Sequence, residues 1–259
     1  MIIQRLWAAL MCFTRLPLWR IKSVDSSCFA HVVDYWPIAG WLTGGFMASV
    51  FFVSHLFLPV SVAVWIAIAA RICLTGALHE DGLADLADAT GGSGGSKERM
   101  LQIMKDSHIG SFGVIALIIH FALLHGLGTS FDPDLIPVIM LTADIAGKAS
   151  ASWIIYQMPY ARTAEQAKMK TIYVSWQGME IIKHLLRCLV ALIPAIILIL
   201  IIHKESISYL WAFIAPIITI MSLRIWFKHK LGGYTGDCCG AAFLICELSF
   251  YLFAAALNN

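Results

Sequence analysis

The chain has 259 residues, 59% of them hydrophobic and 13% charged, with a mean hydropathy of +0.79 and a formal net charge of +2. Soluble domains carry about 25% charged residues. The composition therefore excludes a soluble enzyme, a disordered chain and a nucleic-acid binder working through a basic patch. No nucleic acid is expected as a partner; the lipid bilayer is.

The first apolar stretch, Leu6 to Phe13, is stopped by Arg15 and Pro17. It is too short to span and no small-x-small cleavage site follows it, so it does not read as a signal peptide. We expect an N-terminal segment, 1–33, with an interfacial helix that turns Arg5, Arg15, Arg20 and Lys22 towards headgroups. Crossing the hydrocarbon takes about 20 mostly apolar residues. Stretches that meet this requirement lie near 36–58, 60–79, 109–131, 135–158, 185–203, 207–227 and 238–257. The predicted fold is thus a single all-α, polytopic membrane domain, 1–259, with about seven transmembrane helices.

The basic residues orient it. With the N-terminus inside, the inside segments hold fifteen of the eighteen Lys and Arg, and the outside loops hold only Lys204. The inside set includes Lys97, Arg99, Lys105, Arg162, Lys168, Lys170, Lys183, Arg187, Arg224, Lys228 and Lys230. Long inside loops at 80–108 and 159–184 contrast with outside turns of a few residues, and long loops carry function. The working face is expected to be cytoplasmic, built from 80–108 and 228–240.

The first of those segments opens with His79, Glu80, Asp81, Asp85 and Asp88. Asp81, Asp85 and Asp88 are spaced i, i+4, i+7, on one face of a helix whose other residues are mostly Gly, Leu and Ala. Neighbouring carboxylates repel, and at low dielectric they protonate unless a cation sits between them. A hard divalent ion such as Mg²⁺ takes oxygen ligands and is commonly shared with substrate phosphates. The other reading, a solvated acidic cap, does not explain why the acids alternate with Leu and Ala. Downstream come Gly91 to Gly95, then Arg99, Lys105 and His108. Cations and a flexible loop beside metal ligands fit a metal-bridged diphosphate, although no P-loop or dinucleotide fingerprint is present. Asp237, within Lys230 to Gly240, is placed as a further metal ligand or phosphate-site organiser.

Other features read more simply. The seven cysteines show no metal-ligand spacing, and five of them fall in or beside apolar runs, where cysteine behaves as a small buried hydrophobe. Asp144 and Lys148, i and i+4 in mid-span, read as a pair that neutralises itself. With Arg71 and Glu247 they could instead mark an ion pathway, the transporter alternative.

Five segments taken in order resemble one family. They are FTRLP at 13–17, YWPIAG at 35–40, HEDGLADLAD at 79–88, IMKDSHIGSFG at 103–113 and GGYTGDCCGA at 232–241. The family is cobalamin synthase, the adenosylcobinamide-GDP ribazoletransferases. The resemblance implies a multi-pass transferase of the bacterial inner membrane that requires Mg²⁺. It implies adenosylcobinamide-GDP and α-ribazole, or α-ribazole 5′-phosphate, as substrates, with GMP as the leaving group. On that basis Glu80, Asp81, Asp85 and Asp237 are expected to hold Mg²⁺. Asp88 is a candidate base, as is His79, since an unperturbed imidazole suits proton transfer at neutral pH. Lys105, Arg99 and His108 are expected at the substrate phosphates, and Arg15 either there or at lipid. A CDP-alcohol phosphotransferase is the nearest rival, but Ala89 stands where its Asp-x-x-Asp-Gly signature needs Gly.

Overall fold

A computed structural model describes residues 1–162, 173–202 and 206–258; Lys168, Lys170, Lys204 and the middle of the expected 159–184 loop lie outside these. The described residues form ten α-helices with no strand among them, apart from an isolated bridge between Tyr160 and Tyr234. They are α1 (Ile2–Phe13), α2 (Trp36–His55), α3 (Val60–Thr75), α4 (Leu78–Gly92), α5 (Lys97–Ile103), α6 (Ser111–Gly128), α7 (Ile136–Ala151), α8 (Met179–Ile202), α9 (Ile214–Leu231) and α10 (Gly236–Asn258).

Six helical segments among the described residues are long and apolar enough to cross a membrane, and a pair bent by 91°, α3 with α4, makes seven if counted as one broken span. The chain is a polytopic helical membrane protein. Its boundaries differ from the expected ones in informative places. A 3-10 helix, Ser26–Tyr35, runs straight into α2, so the first apolar segment begins at Ser26 and not at 36. α8 begins at Met179 rather than at 185, which puts Lys183 and Arg187 on the helix. The expected second span, 60–79, is broken: α3 stops at Thr75, and α4 leaves at 91°.

The break has a local cause. Gly76 takes φ +68° and its amide donates to the Ile72 carbonyl at 2.7 Å, the left-handed C-cap that glycine supplies without steric cost. Ala77 then repeats the left-handed conformation at φ 58°, which costs an L-residue with a Cβ roughly 1–2 kcal/mol. Arg15 lies against the bend. Its amide donates to the Leu74 carbonyl at 2.7 Å, and its side chain passes so close to Gly76 that a Cβ there would meet Arg15 Nε at 2.2 Å.

α7 is buried almost throughout, enclosed by α2, α8 and α10, whereas α6, α8 and α9 leave long apolar rows uncovered. Ile115, Ile118 and Ile119 on α6, Val190 and Ile197 on α8, and Ile218, Met221 and Ile225 on α9 are all exposed. Rows of this kind are faces for lipid. Buried among α2, α3, α7 and α10 is an ionic cluster. Lys148 donates to Asp144 and Thr43, and Arg71 reaches Asp144 at 3.5 Å and pairs closely with Glu247. Asp144 and Lys148 do pair, as expected, but within a set of four charges, two of each sign.

The two ends of the bundle differ. The C-terminus of α10 lies at one, where Tyr209 donates to the Asn258 side chain and Asn258 donates to the Ser130 carbonyl at 3.2 Å. At the other end meet α1, the bend between α3 and α4, and the starts of α6 and α10. α1 is 12 residues long, too short to cross, and lays Ala8, Ala9 and Phe13 against its neighbours.

Candidate functional site

The site is made where α4 crosses the beginning of α10. Two glycines allow the approach: a Cβ on Gly82 would come 2.7 Å from the Asp237 carbonyl oxygen, and one on Gly240 would come 3.1 Å from His79 Cα. The two backbones therefore touch, and Asp237, in the first turn of α10, comes beside Asp81 and Asp85, one turn apart on α4. Carboxylate oxygens of these three residues all lie within 4.8 Å of one another. Asp81 is exposed, Asp85 half-buried and Asp237 buried, so the cluster opens outward from the bundle. Thr235 precedes α10 and caps it, accepting from the Cys238 amide at 3.3 Å. The capping hydroxyl also donates towards Asp237 at 3.5 Å, so the start of the helix and the carboxylate are set together.

The donor set is hard and anionic: three carboxylates, with no thiolate or imidazole among them. That chemistry fits Mg²⁺, which prefers a few carboxylates together with water and phosphate oxygens. Arg162 stands behind Asp237. Its Nη2 lies 3.9 Å from an Asp237 oxygen and donates to the Leu101 carbonyl at 3.1 Å, which ties the site to α5. Next to it, the Tyr160–Tyr234 bridge is closed by Tyr234 N–H to the Pro159 carbonyl at 3.0 Å and Ala161 N–H to the Tyr234 carbonyl at 2.8 Å. Burial pushes the Tyr160 phenol above its ordinary range, with the Arg162 charge opposing.

The other residues expected at the site divide into three groups. Glu80 is not part of the trio. It is buried, lies within electrostatic reach of Arg71, and its Oε2 has no hydrogen-bond partner among the described residues. Asp88, two turns from Asp81, also stays apart: its oxygens accept from the Gly110 amide at 2.7 Å and the Gly113 amide at 2.8 Å. It fastens the start of α6 to α4. His79 is buried against aromatic rings, stacked on Trp36 at 5.8 Å and edge-on to Phe243 at 4.7 Å. It borders the same cavity as Asp81 and Asp237, and its Nε2 has no hydrogen-bond partner among the described residues.

The expected phosphate contacts are solvent-facing. Arg99 sits on α5 and donates to Gln102 at 3.2 Å; Lys105 follows in the exposed turn. His108 contacts Asp106 at 2.7 Å through its ring, and its side-chain and backbone hydrogen bonds hold the Asp106 carboxyl below its ordinary range. Arg15 is exposed at the bend. Arg162 is the residue that sequence reasoning did not assign to the site. Its only signal was its place in a basic loop, and a charge in a loop does not say which carboxylate it will meet.

A model of the cobalamin-5-phosphate synthase family matches residues 5–255. The chain is 34% identical over 244 residues to a Shewanella woodyi protein named adenosylcobinamide-GDP ribazoletransferase, covering 93% of this chain and 91% of that one. A Shewanella oneidensis protein of the same name is 33% identical over 256 residues, covering 96% of this chain and 92% of its own. No solved structure matches the chain.

Proposed function

The chain belongs to the cobalamin-5-phosphate synthase family, and from that premise we propose how it acts: it joins adenosylcobinamide-GDP to α-ribazole, or α-ribazole 5′-phosphate. The products are adenosylcobalamin, or its 5′-phosphate, and GMP. A ribose hydroxyl oxygen attacks the phosphorus attached to cobinamide, the bond from that phosphorus to GMP breaks, and the hydroxyl proton passes to the enzyme.

The observation that carries this reading is the convergence of Asp81, Asp85 and Asp237 from two helices. These three hold Mg²⁺, which supplies Lewis-acid neutralisation of the diphosphate charge. Arg162 orients Asp237. Arg99 and Lys105, on and just after α5, meet the charge that grows on departing GMP, as cations do in phosphoryl transfer. His108 and Arg15 lie at the same end and reach towards the phosphates. His79 takes the hydroxyl proton on Nε2. Asp88, with both oxygens engaged by backbone amides, positions the loop before α6 and does not act as the base; Glu80 supports the buried charges around Arg71 and is not a metal ligand.

The protein lies in the bacterial inner membrane with its N-terminus and its carboxylate site towards the cytoplasm. The lopsided distribution of Lys and Arg supports this. So does the placement of Arg15, Arg99, Lys105 and Arg162 at the same end as the carboxylates.

The test is GMP release by purified protein in lipid, supplied with adenosylcobinamide-GDP and α-ribazole. Release is expected with Mg²⁺ and not with chelator. Protein that is folded and lipid-embedded, yet makes no GMP with any divalent ion, would overturn the proposal.

A further inference from the structure

Beside the three carboxylates is a cavity of about 110 Å³ that sequence reasoning did not foresee. It lies between α1, α2, α4 and α10, and its border includes Phe13, Trp36, His79, Asp81, Asp237 and Cys239. The volume is well above the roughly 10–15 Å³ that admits one water. Part of its wall is a stack of near-parallel rings. The Phe13 and Trp36 rings lie 5.1 Å apart with planes 13° from parallel, and Trp36 and His79 lie 5.8 Å apart at 18°. Its border is mostly apolar, with Asp81, Asp237, His79 and Tyr173 among its titratable members.

One buried donor in that wall is unsatisfied. Trp36 is 1% exposed, and its Nε1 has no hydrogen-bond partner among the described residues. Buried tryptophan N–H groups normally find an acceptor: the buried Trp176 donates to Asp34 at 2.6 Å, and the half-buried Trp41 donates to the Ala191 carbonyl at 3.0 Å. Leaving such a group unpaired costs about 1–3 kcal/mol. The cavity therefore combines an aromatic wall, one waiting donor and a border that includes two of the carboxylates.

We infer that this cavity seats the benzimidazole base of the nucleoside substrate, with a ring nitrogen accepting from Trp36 Nε1. This rests on the proposed reaction and adds where the attacking nucleoside is held. A benzimidazole is flat, apolar over most of its surface, and keeps one acceptor nitrogen after its other nitrogen is bonded to ribose. Guanine, the other base in the reaction, carries several donors and acceptors that apolar walls would leave unpaired. With the base against this aromatic wall, the ribose emerges at Asp81 and Asp237 on the cavity border, where the phosphorus must be attacked. His79 borders the cavity along that path.

The experiment uses the full chain in lipid nanodiscs with Mg²⁺ and reads KM separately for each substrate, for wild type and Trp36→Phe. A matched pair of nucleosides is supplied: α-ribazole, and its analogue with the acceptor ring nitrogen replaced by carbon. Losing one neutral hydrogen bond corresponds to about a threefold to tenfold change. Wild type should prefer α-ribazole over the carbon analogue by about that factor, and Trp36→Phe should lose the preference while keeping the ring. A structural effect of the substitution would weaken both nucleosides alike and would overturn the inference. A KM change confined to adenosylcobinamide-GDP would overturn it too, and would assign the cavity to guanine. Calorimetric titration of wild type with α-ribazole alone separates this inference from the reaction. Binding that is selective for the ring nitrogen, without turnover, would keep the cavity assignment and sink the proposed chemistry; GMP formation with no such selectivity would do the reverse.

Discussion

Gly82 and Asp237 touch through their backbones, and any side chain on Gly82 would strike the Asp237 carbonyl oxygen at 2.7 Å. The contact puts a carboxylate from the end of the chain beside two carboxylates more than 150 residues earlier. Gly82→Ala must push α4 and α10 apart, an overpacking strain of about 1–3 kcal/mol. The expected result is a helical, membrane-inserted protein with weakened Mg²⁺ dependence, read as a rise in the Mg²⁺ concentration for half-maximal GMP release. An unchanged Mg²⁺ requirement would mean that the α4–α10 contact does not set the metal site.

Asp81→Asn, Asp85→Asn and Asp237→Asn each remove one charged ligand and leave the side-chain shape nearly intact. Each should reduce activity by more than the roughly 10–100-fold that loss of a supporting partner costs a metal site. Glu80→Gln should leave the Mg²⁺ requirement where it was, because the buried Glu80 is not one of the three converging carboxylates. Metal titrations of the four variants distinguish these outcomes directly.

Asp88 offers a sharper contrast. If it positions the Gly110 and Gly113 amides, Asp88→Asn retains one acceptor oxygen and should keep part of the activity. Asp88→Ala leaves two amides without their carboxylate, and hydrogen bonds to charged groups are worth about 1.5–3 kcal/mol each. The alanine variant should therefore lose far more activity and show faster amide exchange at the start of α6. A base would instead be abolished equally by both substitutions.

The buried charges make a prediction about stability. Arg71→Met leaves Glu247 and Asp144 with Lys148 as the remaining cation of the cluster. Breaking a buried pair costs about 3–5 kcal/mol, while replacing both partners with apolar groups can be neutral. Arg71→Met should lower the unfolding midpoint in detergent markedly, and Arg71→Met with Glu247→Leu should recover most of the loss, because Asp144 and Lys148 still balance. A double variant no more stable than the single one would show that Arg71 serves the fold through packing, not charge.

Much of this protein is readable from local chemistry. The apolar runs mark the crossing segments, since no polar stretch could replace them in hydrocarbon. The His79 to Asp88 pattern marks the acidic helix, because i, i+4 spacing fixes which side chains share a face. What required the tertiary structure was every relationship between segments distant along the chain. Two consecutive left-handed residues, Gly76 and Ala77, separate α4 from α3, and apolar periodicity carries no record of such a turn. Asp81 and Asp85 face Asp237 while Asp88 is taken by Gly110 and Gly113, although helical spacing put all three α4 aspartates on one face. Glu80, adjacent in sequence to Asp81, is buried and lies outside the carboxylate trio. Helical geometry orders the side chains around their own axis, but which neighbour each one meets depends on how closely the helices pack, and here that closeness comes from the missing side chains of Gly82 and Gly240.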